Sequence, residues 1–400
     1  SMDLRGVLVL FSQTKASASP LPVVFTSVSH DPDVVAAAEQ LYRDLRGQPL
    51  SLVLFFCATQ YDLELLSKAL KQRFGDIPLV GCTSAGEISP AGYTHGSITA
   101  IGFAAEHFAI EVSLFNKLAE FSFSDAQSLV HGMLDGCRHK QVAPIMGHSF
   151  ALALLDGLSV REEQLLNVLN AQLGSIPLLG GSAGDDLHFR DTHVYYQGQF
   201  YSDAAILILV NTRCRFEVFS IDHLIDTDEK LVVTEADSSQ RRVIELNAAP
   251  AAEEYARSIG LSVAALDPPV FAMNPLSVKV GNRFYSRAIQ KVNEDLSLTF
   301  YCAVETGIVL TRSRCGDLAE GLDALFDGVK RKIGPPQLVV GYDCIFRRLE
   351  SEQRALSDRI SRVLASNRVI GFNTYGEQFN GMHLNHTFTG VAIGDPDSEG

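Results

Sequence analysis

The 400-residue chain is predicted to be α/β: repeated helix-strand-helix-strand-strand units forming mixed sheets covered by helices, with an antiparallel-rich insert in the second domain. Three observations lead there. The chain resembles itself three times, helical and strand patterns alternate within each copy, and strand-like segments replace the helical periodicity between the second and third copies.

The clearest self-similarity is a short apolar run followed by a glycine, a hydroxyl residue, a second glycine and a carboxylate. It reads Pro78-Leu79-Val80-Gly81-Cys82-Thr83-Ser84-Ala85-Gly86-Glu87 in the first copy and Pro177-Leu178-Leu179-Gly180-Gly181-Ser182-Ala183-Gly184-Asp185 in the second. In the third it reads Arg368-Val369-Ile370-Gly371-Phe372-Asn373-Thr374-Tyr375-Gly376-Glu377. Upstream of each lies an apolar helical face: Leu66, Leu70 and Phe74; Leu165, Leu169 and Leu173; Leu356, Ile360 and Leu364. These helices are expected to end at Gly75, Gly174 and Asn367, residue types that tolerate the left-handed backbone.

Before each helix comes a run of β-formers, at 52–57, 150–155 and 338–342, and before that a further helix, at 33–46, 125–139 and 317–332. After each turn the chain returns in a strand, at 98–103, 204–210 and 387–393. Alternation of this kind implies parallel neighbours under helices, with the last strand of each unit antiparallel. Between 213 and 314 the segments 216–221, 231–234, 242–246, 277–280 and 296–304 read as strands, with a helix at 251–259. Four hundred residues exceed one ordinary core, so two domains are expected: 22–212 with two units, and 213–394 with the insert and the third.

Composition narrows the function. Hydrophobic residues make up 46% and charged residues 20%, as in folded globular chains. With 33 basic against 47 acidic residues and a net charge of -14, a nucleic-acid partner is disfavoured, because phosphate contacts need clustered Lys and Arg. The apolar runs are shorter than the roughly 20 residues that cross a bilayer, and no leader-like segment opens the chain, so a cytoplasmic protein is expected. Seven cysteines without a CxxC pair suggest reduced, mostly buried thiols and no structural zinc.

The turns are the candidate ligand site. Gly81, Cys82, Ser84 and Glu87, then Gly180, Ser182, Asp185 and Asp186, then Tyr375 and Glu377 would lie beyond the carboxyl ends of strands, where α/β sheets commonly bind ligands. The carboxylates would receive an amino group. The plainer reading has the glycines make tight turns and the carboxylates cap backbone amides. No P-loop, GxGxxG, GxSxG or HExxH motif accompanies them. A nucleophile at Cys82 or Ser84, with Glu87 and His95 nearby in sequence, has nothing to place a base beside it, so no enzyme is expected.

These motifs resemble those of the FIST (F-box and intracellular signal transduction) family. Gly81 to Ile88 with Gly92-Tyr93, and Gly180 to Asp186, look like signatures of its N-terminal domain; Gly371 to Glu377 and the closing 387–394 segment look like those of its C-terminal domain. The resemblance implies a bacterial sensory protein that binds a small molecule such as an amino acid. The run Asp343-Cys344-Ile345-Phe346-Arg347-Arg348-Leu349-Glu350 with Met382-His383 is similar to a subset implied to bind haem, sense nitric oxide and act in trans on a histidine kinase or cyclic-di-GMP enzyme. Within that resemblance His383 is the expected iron ligand, with His188 and His193 as alternatives, and Arg347 joins the ligand site.

Overall fold

In the computed structural model, which describes residues 21–397, three units are each built on a parallel strand pair. The pairs are Leu50–Cys57 with Leu79–Thr83, Ser149–Leu155 with Leu178–Ser182, and Leu338–Cys344 with Val369–Thr374. The strands Ile98–Ala104, Ala204–Thr212 and Phe388–Pro396 add antiparallel to the first strand of each pair. Outside them run Val24–Ser29, Phe108–Asn116 and Cys214–Ile221.

Local chemistry sets the helices. Asp33, Asp62, Ser122 and Asp317 accept a backbone N–H of the first turn of helices Val34–Leu45, Leu63–Phe74, Phe123–Lys140 and Leu318–Ile333, which satisfies donors that otherwise have no partner. Gly75 and Gly174 close two helices at φ 58° and 61°. In the third unit the expected single helix is two, Ile345–Gln353 and Ser357–Ser366, with Leu356 as the N-cap of the second. The left-handed residue there is Arg368, at φ 56°, whereas Asn367 has φ -103°.

What the repeat pattern does not reveal is an exchange of hairpins. After each glycine-carboxylate turn the chain forms a short hairpin that pairs with the sheet of a neighbouring unit. The first unit's Glu87–Ser89 and Gly92–Thr94 extend the third sheet (Gly371↔Ile88). The second unit's Val194–Tyr196 and Gln199–Tyr201 extend the first (Tyr195↔Gly81), and the third unit's Glu377–Phe379 and Met382–Leu384 extend the second (Gln378↔Gly180). The three units therefore close a ring, and the open edge of every parallel pair is covered.

Three six-stranded sheets meet face to face along the axis of this ring. Their inner faces supply one core, including Phe56, Val80, Cys82, Leu154, Leu179, Tyr342 and Phe372, with Phe56 stacked on Phe372 at 4.7 Å between centroids. Gly81, Gly180 and Gly371 occupy one equivalent position. A Cβ there would lie 2.4 Å from the Phe55 carbonyl oxygen, 2.2 Å from that of Ala153 and 1.7 Å from that of Gly341. Close approach of the adjacent parallel strand thus requires glycine in all three.

The insert is an antiparallel eight-stranded sheet with its own core, built around Leu231, Val243, Tyr255, Phe271, Leu298, Phe300 and Leu310. Two expectations change here. Strand Cys214–Ile221 belongs to the third sheet, paired with Phe388–Pro396, because its half-buried Phe216 and Val218 face the axial core. The segment 296–304 contributes only Leu298–Phe300, since Leu296 turns at φ 67°.

Candidate functional site

The three glycine-carboxylate turns meet at one end of the ring and lock together through their backbones. Ala85 N–H donates to the Asn373 carbonyl (3.0 Å), Gly184 N–H to Thr83 (3.0 Å) and Tyr375 N–H to Ser182 (3.1 Å), the same bond made three times around. The place where a ligand was expected is filled by the protein. Tyr375 packs between Tyr301 and Phe189 with centroids at 5.3 and 5.6 Å, and Tyr301 packs on Phe346 at 5.7 Å. Tyr375 also donates its hydroxyl to Asp185 and accepts the Leu187 N–H.

The carboxylates of these turns are bound by their own chain. Glu87 accepts the Ser97 N–H (2.9 Å), the Ser97 hydroxyl (2.7 Å) and the Ser84 hydroxyl. Glu377 repeats this with Thr387 N–H (2.9 Å), Thr387 hydroxyl (2.8 Å) and Thr374. Asp185 takes the amides of Phe189, Arg190 and Asp191 at 3.0, 2.7 and 3.2 Å, while Asp186 is half-buried at φ 53°. Burial raises the Glu87 carboxyl, although its hydrogen bonds and Arg348 oppose this. Glu377 faces Asp343 instead and is pushed up to about 8, chiefly by burial. Cys82 is fully buried in the axial core, its thiol raised well above the usual range, and Ser182 accepts the Gln378 amide at 2.8 Å.

Arg347 is a buried internal cation. Its Nε donates to Asp343 at 2.8 Å and its Nη1 to His223 Nδ1 at 3.3 Å. Asp343 also binds Tyr93 and the Asn373 amide. Because arginine only donates, His223 carries its proton on Nε2 and gives it to Glu350. Cys315 lies within 4.8 Å of both His223 and Glu350. A metal on Nε2 would force that proton onto Nδ1, against the guanidinium, so these residues fit a hydrogen-bonded trio and do not fit a metal centre.

The histidines proposed for haem are placed as follows. His383 is 5% exposed; its ring nitrogens meet Gln378 Nε2 and the Tyr301 carbonyl, both at 3.2 Å, and its ring covers Gly376 so closely that a Cβ there would be 2.2 Å away. An axial ligand needs a free nitrogen facing an apolar slot, and His383 has neither. His188 and His193 line an open cleft of about 440 Å³ with Thr59, Gln60, Arg190 and a single apolar side chain, Leu63, which does not fit a macrocycle. Sequence reading missed His386. Its Nε2 is buried without a partner, its ring lies 4.9 Å from Phe346, and burial, helped by the Arg347 cation, holds it down to about 3.

A second cavity, of about 430 Å³, opens between the insert and the third unit. Its walls come from the end of strand Cys214–Ile221, the start of Leu224–Asp237, the insert hairpin formed by Leu276–Val280 and Arg283–Ser286, and the exchanged hairpin of the third unit. Phe284, Phe379, Met382 and Leu384 supply apolar surface. Ser286 Oγ and Asn385 Nδ2, in side chains 5% and 1% exposed, have no hydrogen-bond partner. Asn385 is fixed in place because its Oδ1 accepts the Ala288 N–H at 3.2 Å. Burying unpaired polar atoms costs about 1–3 kcal/mol each, but both atoms lie beneath the cavity surface; the polar surface of the cavity comes from exposed Asp222, Asp226 and Arg283. No local motif announces this site, whose residues span 220–387 in four segments.

Pseudo-threefold α/β units closed by exchanged hairpins, joined to an antiparallel module with a cavity opening between them, define a mixed α/β protein of internally repeated units. The chain belongs to the FIST family: the FIST N domain matches residues 51–249 and the FIST C domain residues 251–380. FIST domains are sensory domains implicated in signal transduction and small-ligand binding. The chain is also similar to an uncharacterized protein of Methanocaldococcus jannaschii, 23% identical over 226 residues, covering 56% of this chain and 43% of that protein. This chain therefore matches less than half the length of that relative. Among the described residues no helix is long and apolar enough to cross a membrane.

Proposed function

We propose that this protein is a small-metabolite sensor whose ligand, a zwitterion of amino-acid size, occupies the cavity between the insert and the third unit. The observation that carries this is a cavity lined both by ionic side chains, Asp222, Asp226 and Arg283, and by apolar Phe284, Phe379, Met382 and Leu384. Arg283 can pair with a carboxylate and Asp222 or Asp226 with an ammonium, and the apolar side chains accept a hydrocarbon body. A volume of about 430 Å³ lies within the range of roughly 300–1,000 Å³ usual for small-molecule sites. The cavity also touches the exchanged hairpin, so occupancy bears on the contact between units, and a histidine kinase or cyclic-di-GMP enzyme acting in trans is the kind of partner that would read it.

The test is a thermal-shift and calorimetric screen of free amino acids. Arg283→Gln removes the cation that pairs with the carboxylate. The expected result is stabilisation of the wild type by at least one amino acid and its loss in the variant. Absence of binding across the panel, or unchanged affinity in Arg283→Gln, overturns the reading. Haem, which the family resemblance implies, finds no apolar slot beside His383 or in the His188-His193 cleft, and the reconstituted protein should show no Soret band; one that appeared would overturn this.

A further inference from the structure

We infer that His383 is a proton-operated clamp where the exchanged hairpin, the insert and the second unit meet, taking up a proton as the Gln378 amide turns over. His383 lies on strand Met382–Leu384 and is 5% exposed. The Tyr301 carbonyl can only accept, so the His383 Nε2 facing it at 3.2 Å carries a hydrogen. Nδ1 is then the acceptor of the imidazole and takes a Gln378 Nε2–H at 3.2 Å. The same amide nitrogen donates to Ser182 Oγ at 2.8 Å, which leaves Gln378 Oε1 buried with no partner.

Turning the amide over exchanges its two ends. Oε1 then faces Nδ1 and the Ser182 hydroxyl, and both can donate to it once Nδ1 carries a proton. Since Nε2–H stays committed to the Tyr301 carbonyl, only the imidazolium suits that arrangement. The number of hydrogen bonds joining Ser182, Gln378, His383 and Tyr301 is the same in both states, so the proton enters without breaking the seam.

The surrounding charges favour that proton. The Tyr301 carbonyl also accepts Arg241 Nη1 at 2.7 Å, and Arg241 is paired with Glu162 at 2.7 Å and with Glu163. Arg241 and Glu162 are buried, Glu163 is partly exposed, and Glu162 Oε1 has no partner. With His383 neutral the cluster holds one cation and two anions, and an imidazolium balances it where the effective dielectric is low. Burial would raise the Glu163 carboxyl, but His383 and Arg241 hold it below its usual range. The Tyr301 hydroxyl and the Cys302 thiol are raised by burial and stay neutral, and Glu377, on the other arm of the hairpin, is pushed up to about 8 by burial. Because that hairpin extends the second sheet, acidification tightens the hold of the insert and of helix Glu162–Leu173 on it, whatever the cavity binds.

The test is nitrogen NMR of the whole chain, labelled at histidine rings and glutamine amides, between pH 8 and pH 5. The His383 signals are those lost in His383→Gln. Nε2 is expected to stay protonated throughout and Nδ1 to gain a proton across the range, with the Gln378 amide signals shifting in step. Glu163→Gln, whose amide oxygen still accepts the Ala303 N–H, should weaken proton binding at His383 about tenfold, or about one pH unit. A His383 that takes no proton by pH 5, Gln378 signals that ignore the titration, or an unchanged midpoint in Glu163→Gln each overturns the clamp. If His383→Gln does not fold, the histidine whose midpoint moves in Glu163→Gln identifies the site, and the absence of any moving midpoint overturns the inference as well.

Discussion

Replacing Glu377 by glutamine tests the physical account of the interlocked turns. The carboxyl is fully buried, and burial pushes it up to about 8 from an ordinary 4.5. A folded-state value above the unfolded one means that the native protein keeps a proton the unfolded chain gives up. Stability from this group is complete below pH 4.5 and is lost as pH rises toward 8. At pH 7 the gap is 2.5 units, which amounts to about 3 kcal/mol at 1.36 kcal/mol per unit. Glutamine has the same shape, keeps an oxygen for the Thr387 N–H and hydroxyl, and cannot ionise. Urea denaturation at pH 5, 7 and 8.5 should therefore show the stability of Glu377→Gln relative to wild type rising by about 4 kcal/mol between the first and last pH. Parallel curves would mean that Glu377 is ionised in the native state, held by its three donors, and the burial argument would be wrong.

Two further outcomes follow from the same geometry. His386, held down to about 3, has the opposite sign: its contribution is present above the unfolded value near 6.5 and is lost as pH falls toward 3, about 2 kcal/mol by pH 5. His386→Asn, which suits the left-handed φ of 59°, should flatten the acid limb of a thermal-stability profile, and an unchanged limb would exclude His386 as its source. Gly371→Ala places a Cβ 1.7 Å from the Gly341 carbonyl oxygen; forcing the paired strands apart should cost at least about 3 kcal/mol, read as a lowered denaturation midpoint, and wild-type stability would show that the two strands can separate cheaply.

How much of this is legible in the chain depends on how local each cause is. The units could be read because their causes are local: apolar spacing on helices such as Leu63–Phe74, and glycines required where one strand lies against the next. The role of the carboxylates was legible in part, in the plainer reading that they take backbone amides, but their further partner is a hydroxyl residue ten positions downstream, Ser97 for Glu87 and Thr387 for Glu377. That spacing occurs in the first and third units and was a usable signal. Nothing in three-residue strands such as Glu87–Ser89 carries enough pattern to tell which sheet they join. The cavity is less legible still, because Asp226, Ser286 and Asn385 are brought together only by the packing of the insert on the third unit.

The exchanged hairpins give the proposed site a mechanical consequence. Met382 and Leu384 line the cavity, while Glu377–Phe379, the other arm of their hairpin, is hydrogen-bonded to Leu178–Ser182 of the second unit. On the Met382–Leu384 arm itself, His383 meets the Tyr301 carbonyl, which also accepts Arg241 at 2.7 Å, and buried Arg241 is paired with Glu162 at 2.7 Å and with Glu163. A molecule pressing on Met382 thus acts on a hairpin shared between units and, through two hydrogen bonds and an ion pair, on the start of helix Glu162–Leu173. Its leverage is bounded by the difference in its affinity for the two positions of that hairpin. A ligand filling the cavity without shifting the hairpin would stabilise the fold and send no signal, which is why binding and partner response must be measured on the same variants.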